Sequence, residues 1–143
     1  MVSREFIGRA SQPLVVEVEK GHIRRFVEAI GDPDPIYVDE AAARAAGHAR
    51  IPAPPLFVAA LRPNDAREGM GLDWKKVLHG EQEFEYRRPI YAGDTLVLVQ
   101  RIADIYEKSG KAGAMDFLVL ETVARDLEGR VVYTARANIV VKR

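Results

Sequence analysis

The chain has 143 residues, 48% of them hydrophobic and 29% charged, and its 21 lysines and arginines cancel its 21 aspartates and glutamates. An ordinary apolar fraction without net charge excludes a disordered chain, and the lack of a basic excess or stripe argues against nucleic-acid binding. With no cysteine at all, disulfides, thiolate nucleophiles and Cys-ligated metals are excluded, and a reducing, cytoplasmic setting is expected.

The first dozen residues mix charge and polarity where a secretory signal would need an apolar run. The longest uncharged apolar stretch, Ile51 to Leu61, is too short to span a bilayer and holds prolines at 52, 54 and 55. No membrane association is expected. No repeat or linker interrupts the chain, so residues 1–143 read as a single domain.

In chain order, Leu14 to Val18 reads as a short strand. Ile23, Phe26, Val27 and Ile30 then fall at the i, i+3, i+4, i+7 spacing of an amphipathic helix, which Gly31 ends. Asp32-Pro33-Asp34-Pro35 cannot continue a helix, because two prolines remove donors and bias the residues before them toward extended geometry. The alanine-rich stretch from Asp39 to Ala46 reads as a second helix stopped by Gly47. Ile51 to Leu61, apolar on every side and bracketed by prolines, is expected to form a central helix surrounded by other elements.

The rest is strand-like. Glu81 to Arg87 alternates, with Phe84 and Tyr86 on one face, and Tyr91-Ala92-Gly93-Asp94 turns into the apolar strand Thr95 to Val99, expected to lie centrally. Lys108-Ser109-Gly110-Lys111 and Glu128-Gly129-Arg130 read as hairpin turns. The last strand, Val131 to Val141, alternates cleanly and is expected to offer an edge. Helices followed by strands joined through short turns argue for an α+β fold with a mainly antiparallel sheet.

Gly31-Asp32-Pro33-Asp34-Pro35-Ile36-Tyr37 resembles, at matching spacing, the G-D-x-N-P-x-H motif of the MaoC-like hydratase/dehydratase family. The stretch Ala41 to Gly47, the Pro-rich segment at 52–55 and Arg88-Pro89-Ile90-Tyr91-Ala92-Gly93-Asp94 have counterparts in the same order. The resemblance runs from about Leu14 to Val141. It implies a hot-dog fold, a curved antiparallel sheet of about five strands wrapped around a long apolar central helix. It also implies an (R)-3-hydroxyacyl/trans-2-enoyl thioester substrate carried on coenzyme A or acyl carrier protein; no cofactor is expected, and no His-x-x-x-His or His/Glu cluster suggests a metal. In active members an Asp and a His hold the water that adds across, or is lost from, the double bond.

Here Asp32 takes the catalytic aspartate's place, but Tyr37 stands where the motif has histidine, and a tyrosine with a pKa near 10 makes a poor general base at neutral pH. Asp34 replaces the motif's asparagine. Asp32 and Asp34 also read as braces of a turn, a common use of aspartate. Among the three histidines, His48 lies nearest in sequence to the expected substrate site. His22, at the start of a helix, reads as exposed, and His79 as a solvated loop residue.

The chain also resembles the degenerate subunit of heterodimeric bacterial (3R)-hydroxyacyl-ACP dehydratases, in its lost histidine and in Ala53-Pro54-Pro55-Leu56-Phe57. That likeness implies an acyl-binding role for Pro54, Pro55, Leu56, Phe57, Tyr86 and Gly93, beside a second hot-dog subunit that carries Asp and His. The alternatives are a self-sufficient homodimeric hydratase using Asp32 with His48, a hot-dog thioesterase, and a non-catalytic acyl-thioester-binding module. The absence of Asp or Glu between Leu56 and Leu61 weighs against the thioesterase. Arg62, Arg87 and Arg88 are candidates for meeting phosphates or acidic groups of the carrier.

Overall fold

In the computed structural model, which describes residues 1–111 and 113–143, strand β1 (Leu14–Glu17) is followed by helices α1 (Lys20–Ile30) and α2 (Glu40–Ala45). Strands β2 (Val77–Tyr86), β3 (Thr95–Gly110), β4 (Gly113–Arg125) and β5 (Val131–Lys142) complete a five-stranded antiparallel sheet in the order β1-β3-β4-β5-β2. This is the expected α+β, hot-dog architecture. The ladders shift register between Ile102 and Asp104 and between His79 and Glu81. Such bulges bend a strand and sharpen its twist. At the second of them a Cβ on Gly80 would sit 3.1 Å from the Asn138 carbonyl oxygen, a tight approach that favours glycine.

Helix α1 buries Ile23 and Val27 and half-buries Phe26, while Ile30 lies outside the stripe, 55% exposed. It stops where the sequence predicts, at Gly31, whose φ of 71° lies in the left-handed region. The Asp32 N–H reaches back to the Val27 carbonyl at 2.9 Å, closing the helix end and setting the direction in which Asp32 leaves it.

Residues Ile51 to Leu61 correct the expected central helix. Pro52 lies extended and bridges Tyr91, with the Ala53 N–H bonded to the Ile90 carbonyl and the Ala92 N–H to that of Ile51. Only a four-residue 3-10 turn, Phe57–Ala60, follows, held by bonds from Phe57 to Pro54, Ala59 to Leu56 and Leu61 to Val58. Prolines at 52, 54 and 55 remove the donors a regular helix needs, and apolar character does not replace them. The segment is still inside on one side: Phe57 is fully buried, with edge-on contacts to Phe26 and His22, whereas Leu56 is 61% exposed.

Four further expectations are revised. Strand β5 lies between β4 and β2, so the free edges belong to β1 and β2. Strand β3 is second from an edge rather than central, and it runs on through Lys108, Ser109 and Gly110, which pair with Met115, Ala114 and Gly113, so three of the four residues of the first expected hairpin turn are strand. His79 belongs to β2, not to a loop. The turn at Glu128-Gly129-Arg130 is as expected, with the Asp126 N–H bonded to the Arg130 carbonyl.

Candidate active-site cleft

The end of α1 fixes the start of the candidate motif. Asp32 Oδ1 accepts the Asp34 N–H at 3.0 Å, and Asp34 Oδ1 accepts the Ile36 N–H at 3.1 Å, which caps the 3-10 turn Pro35–Tyr37. Both aspartates thus serve as braces of consecutive turns. Two prolines with fixed φ stiffen the segment between them.

The turn delivers Tyr37 into a cleft of about 520 Å³ whose wall also includes His48, Pro54, Pro55, Tyr86 and Arg88. The lining is mainly apolar with a few polar tips, the usual make-up of a small-molecule site. Burial, then the negative charges of Asp32 and Asp34, raise the Tyr37 pKa above its ordinary value near 10. The phenol is therefore protonated at neutral pH and can donate a hydrogen bond but take up no proton. The Tyr86 hydroxyl donates to the Pro55 carbonyl, and burial raises its pKa as well.

His48 follows the second helix's terminal glycine and is half-buried. Its Nδ1 lies 3.4 Å from the Tyr91 hydroxyl, with the two rings edge to face at 5.9 Å. Behind Tyr91 sits an ion network. Asp94, 9% exposed, accepts from Arg88 at 2.8 Å, from Arg50 at 3.2 Å and from the Tyr91 N–H at 2.9 Å. Burial pushes the Asp94 carboxyl upward, but these hydrogen bonds and the Arg88 charge outweigh it and hold the pKa below the ordinary aspartate value. The Arg50 guanidinium lies over the Tyr91 ring, 5.4 Å from its centroid. Arg88, itself on the cleft wall, is therefore a held cation rather than a mobile one.

Of the sequence-predicted site residues, the structure brings Tyr37, His48, Pro54, Pro55 and Tyr86 to one cleft. Asp32, engaged in its turn, is not among the residues that line it. Leu56 points outward, Phe57 is sealed in the core, and Gly93 lies on a separate, charged depression bordered by Lys20 and Arg44. His22 is half-buried against Phe57 at 4.8 Å between ring centroids, not exposed. Among the described residues no side chain donates a hydrogen bond to the Asp32 carboxylate, and no group of three His, Asp or Glu is arranged to hold a metal ion.

A second hollow, about 400 Å³, opens between the short 3-10 turn and the inner face of the sheet, where Val58, Leu61, Phe84, Tyr133, Ala135 and Ala137 line it. It occupies the place in which the expected long helix would have packed. Sequence reasoning names Phe84 and Arg62 of this hollow but misses Tyr133, Ala135 and Ala137, and it misses the part Asp94 plays. The alternation of β5 marks Tyr133, Ala135 and Ala137 as sharing a face, and two small residues on that face were the available signal.

The comparisons with known proteins agree with this geometry. A family model described as the FAS1-like dehydratase domain region matches residues 5–135. A UPF0336 protein of Streptomyces griseus is 37% identical over 147 residues, covering 99% of this chain and 95% of its own length. One from Saccharopolyspora erythraea is 39% identical, with 99% and 92% covered. Among solved structures, a chain of the ChsH1–ChsH2 complex from Mycobacterium tuberculosis is 30% identical with a TM-score of 0.78, covering 92% of this chain and 83% of that one. The HadBC (3R-hydroxyacyl-ACP dehydratase) complex from the same organism shares the fold, with a TM-score of 0.76, 23% identity and 94% and 96% covered. The chain thus belongs to the family of FAS1-like dehydratase domain regions and has the hot-dog fold of MaoC-like dehydratases.

Proposed function

We propose that this chain is the acyl-binding subunit of an (R)-3-hydroxyacyl-thioester dehydratase/hydratase, and that a second hot-dog subunit brings the Asp and His that do the chemistry. In the hydration direction, a water loses a proton to the base as its oxygen bonds to C3 of the enoyl thioester, and C2 receives a proton. Such proton transfers need groups that titrate near neutral pH. The observation that carries the reading is Tyr37, kept protonated at the position of the motif's histidine while Asp32 is engaged in a turn.

Two further features support it. The apolar hollow beneath the sheet offers room for an acyl chain, each buried methylene being worth about 0.8 kcal/mol. The cleft offers a hydrogen-bond donor in Tyr37 and a fixed cation in Arg88, suited to a thioester carbonyl and to phosphate or carboxylate on the carrier. The similar ChsH1–ChsH2 and HadBC structures are both named as two-component complexes.

The test is hydration of crotonyl-coenzyme A by the purified chain alone and together with a co-expressed hot-dog protein that has the intact Asp/His motif. Turnover by the pair, and none by the chain alone, is the expected result. Robust turnover by the chain alone, abolished by Asp32→Asn, overturns the reading. A second reading, a self-sufficient homodimer, is favoured by one observation, that His48 shares the cleft with Tyr37. It predicts activity without a partner and a His48→Ala variant that loses rate while keeping its fold.

A further inference from the structure

The inner face of the sheet carries two hydroxyls that the fold leaves without partners. Tyr133 of β5 is 1% exposed and Thr122 of β4 is 8% exposed, and both line the hollow of about 400 Å³ under the sheet. Neither hydroxyl makes a hydrogen bond among the described residues. Every buried side-chain oxygen or nitrogen that is closed off from solvent does have a partner, so these two open onto the hollow instead. Thr122 stands directly opposite Ala135, and Ala124, two residues along β4, stands opposite Tyr133, which makes Thr122 and Tyr133 diagonal neighbours on one face. Ala135 and Ala137 end at Cβ and leave the space beside them unfilled.

On the other side of Thr122 its pair Gln100 gives its Oε1 to the Ala66 N–H at 3.0 Å, and the Gln100 side-chain N–H groups have no partner among the described residues. Hydroxyl, phenol and amide can all donate. Burial, and to a lesser degree the nearby Tyr86, raises the Tyr133 pKa and keeps it a donor at neutral pH. No Asp or Glu lines the hollow, and its basic members, Arg62 and His79, are exposed.

We infer that the hollow selects acyl chains that carry a neutral oxygen, a hydroxyl or keto group, partway along their length, with Thr122 and Tyr133 as the residues that recognise it. The inference deepens the acyl-binding reading and rests on it. A plain alkyl chain in the hollow displaces water from both hydroxyls and returns no hydrogen bond, a loss that an oxygen on the chain cancels. A site built to bond a substrate oxygen rejects the analogue that lacks it for the same reason. A carboxylate fits less well, because no buried cation lines the floor to pair with it.

Isothermal titration calorimetry on the purified chain compares dodecanoyl-coenzyme A, its monohydroxy and monoketo derivatives substituted at successive carbons of the chain's outer half, and dodecanedioyl-coenzyme A. At least one hydroxy or keto derivative is expected to bind about tenfold tighter than the plain chain. Thr122→Val and Tyr133→Phe, which remove one hydroxyl each at nearly constant shape, cut that preference by about threefold or more without weakening the plain chain. Thr122→Ser keeps the hydroxyl and retains the preference. Circular dichroism verifies folding, and the two positions are substituted separately, so either one carries the test if the other variant does not fold. A plain chain that binds as tightly as every derivative overturns the inference. A preference that both substitutions leave intact does so too, as does dodecanedioyl-coenzyme A binding tightest of all. Equal binding of all the thioesters leaves the acyl-binding reading standing, whereas binding of none of them overturns that reading and this inference together.

Discussion

Asp32 Oδ1 accepts the backbone N–H of Asp34 at 3.0 Å, two residues along the chain. An amide oxygen can accept the same bond, so Asp32→Asn leaves the turn intact and stability within about 0.5 kcal/mol of wild type, whereas Asp32→Ala costs about 1 kcal/mol. Urea unfolding of the two variants separates the outcomes. Equal losses would show that the carboxylate's charge, not its acceptor, holds the turn.

Tyr37→Phe removes the hydroxyl from the cleft without changing the ring. Because burial and the neighbouring aspartates raise the phenol's pKa, it titrates above pH 10 and contributes no ionisation to a rate measured between pH 6 and 9. The pH profile of the reconstituted pair keeps its shape, with a fall in rate of no more than about tenfold from one lost neutral hydrogen bond. A shifted limb in the profile would make Tyr37 a proton carrier.

Asp94 is the buried acceptor for Arg88, Arg50 and the Tyr91 N–H. Its folded pKa lies below the ordinary aspartate value of 3.8, as does that of Asp116, where burial is outweighed by bonds from Arg143 and the Val2 N–H. A depressed carboxyl stabilises fully above its unfolded pKa and loses that contribution as pH falls through the folded one. Urea midpoints are accordingly flat from about pH 7 to about pH 5 and drop below about pH 4. Asp94→Asn lowers stability by about 1–3 kcal/mol at neutral pH and makes the acid drop shallower. A variant with an unchanged pH profile would remove Asp94 from the acid response.

Ala135 and Ala137 floor the hollow under the sheet. Enlarging Ala135 to Leu fills part of this open space without overpacking and leaves stability within about 1 kcal/mol of wild type. If the hollow takes the acyl chain, displacing about three methylenes weakens long-chain thioesters by about 2.4 kcal/mol, roughly fiftyfold, and leaves crotonyl-coenzyme A unaffected. Kinetics of the pair on a short and a long enoyl thioester measure the split; equal losses on both would place the chain elsewhere.

Phe57 is fully buried, with rings of His22 and Phe26 set edge-on at 4.8 and 5.6 Å. Phe57→Ala costs about 3–5 kcal/mol, read from the urea midpoint. A smaller loss would mean that the segment collapses into the space.

Local pattern carried much of this fold into the sequence. The α1 stripe, the αL stop at Gly31 and the alternation of β5 depend on residues within one or two turns of each other, so they are visible without coordinates. The 51–61 segment departs from the helix its apolar character predicts because its prolines lack the donors a helix needs. Once those residues lie extended, the sheet face they leave uncovered becomes a hollow, which no local pattern announces. The Asp94 network depends on Arg50 returning from 44 residues away, which is a tertiary fact. The motif at 31–37 was legible as a resemblance, and the Asx turn that occupies Asp32 was legible only as one of two readings.

The most direct measurement compares two variants of the reconstituted pair in hydration of crotonyl-coenzyme A, Asp32→Asn in this chain and the corresponding Asp→Asn in the second subunit's intact motif. The account predicts that the first keeps its rate within about threefold and the second loses at least a hundredfold, the scale of a missing general base. The opposite pattern, a dead Asp32→Asn pair and an active partner variant, would contradict it.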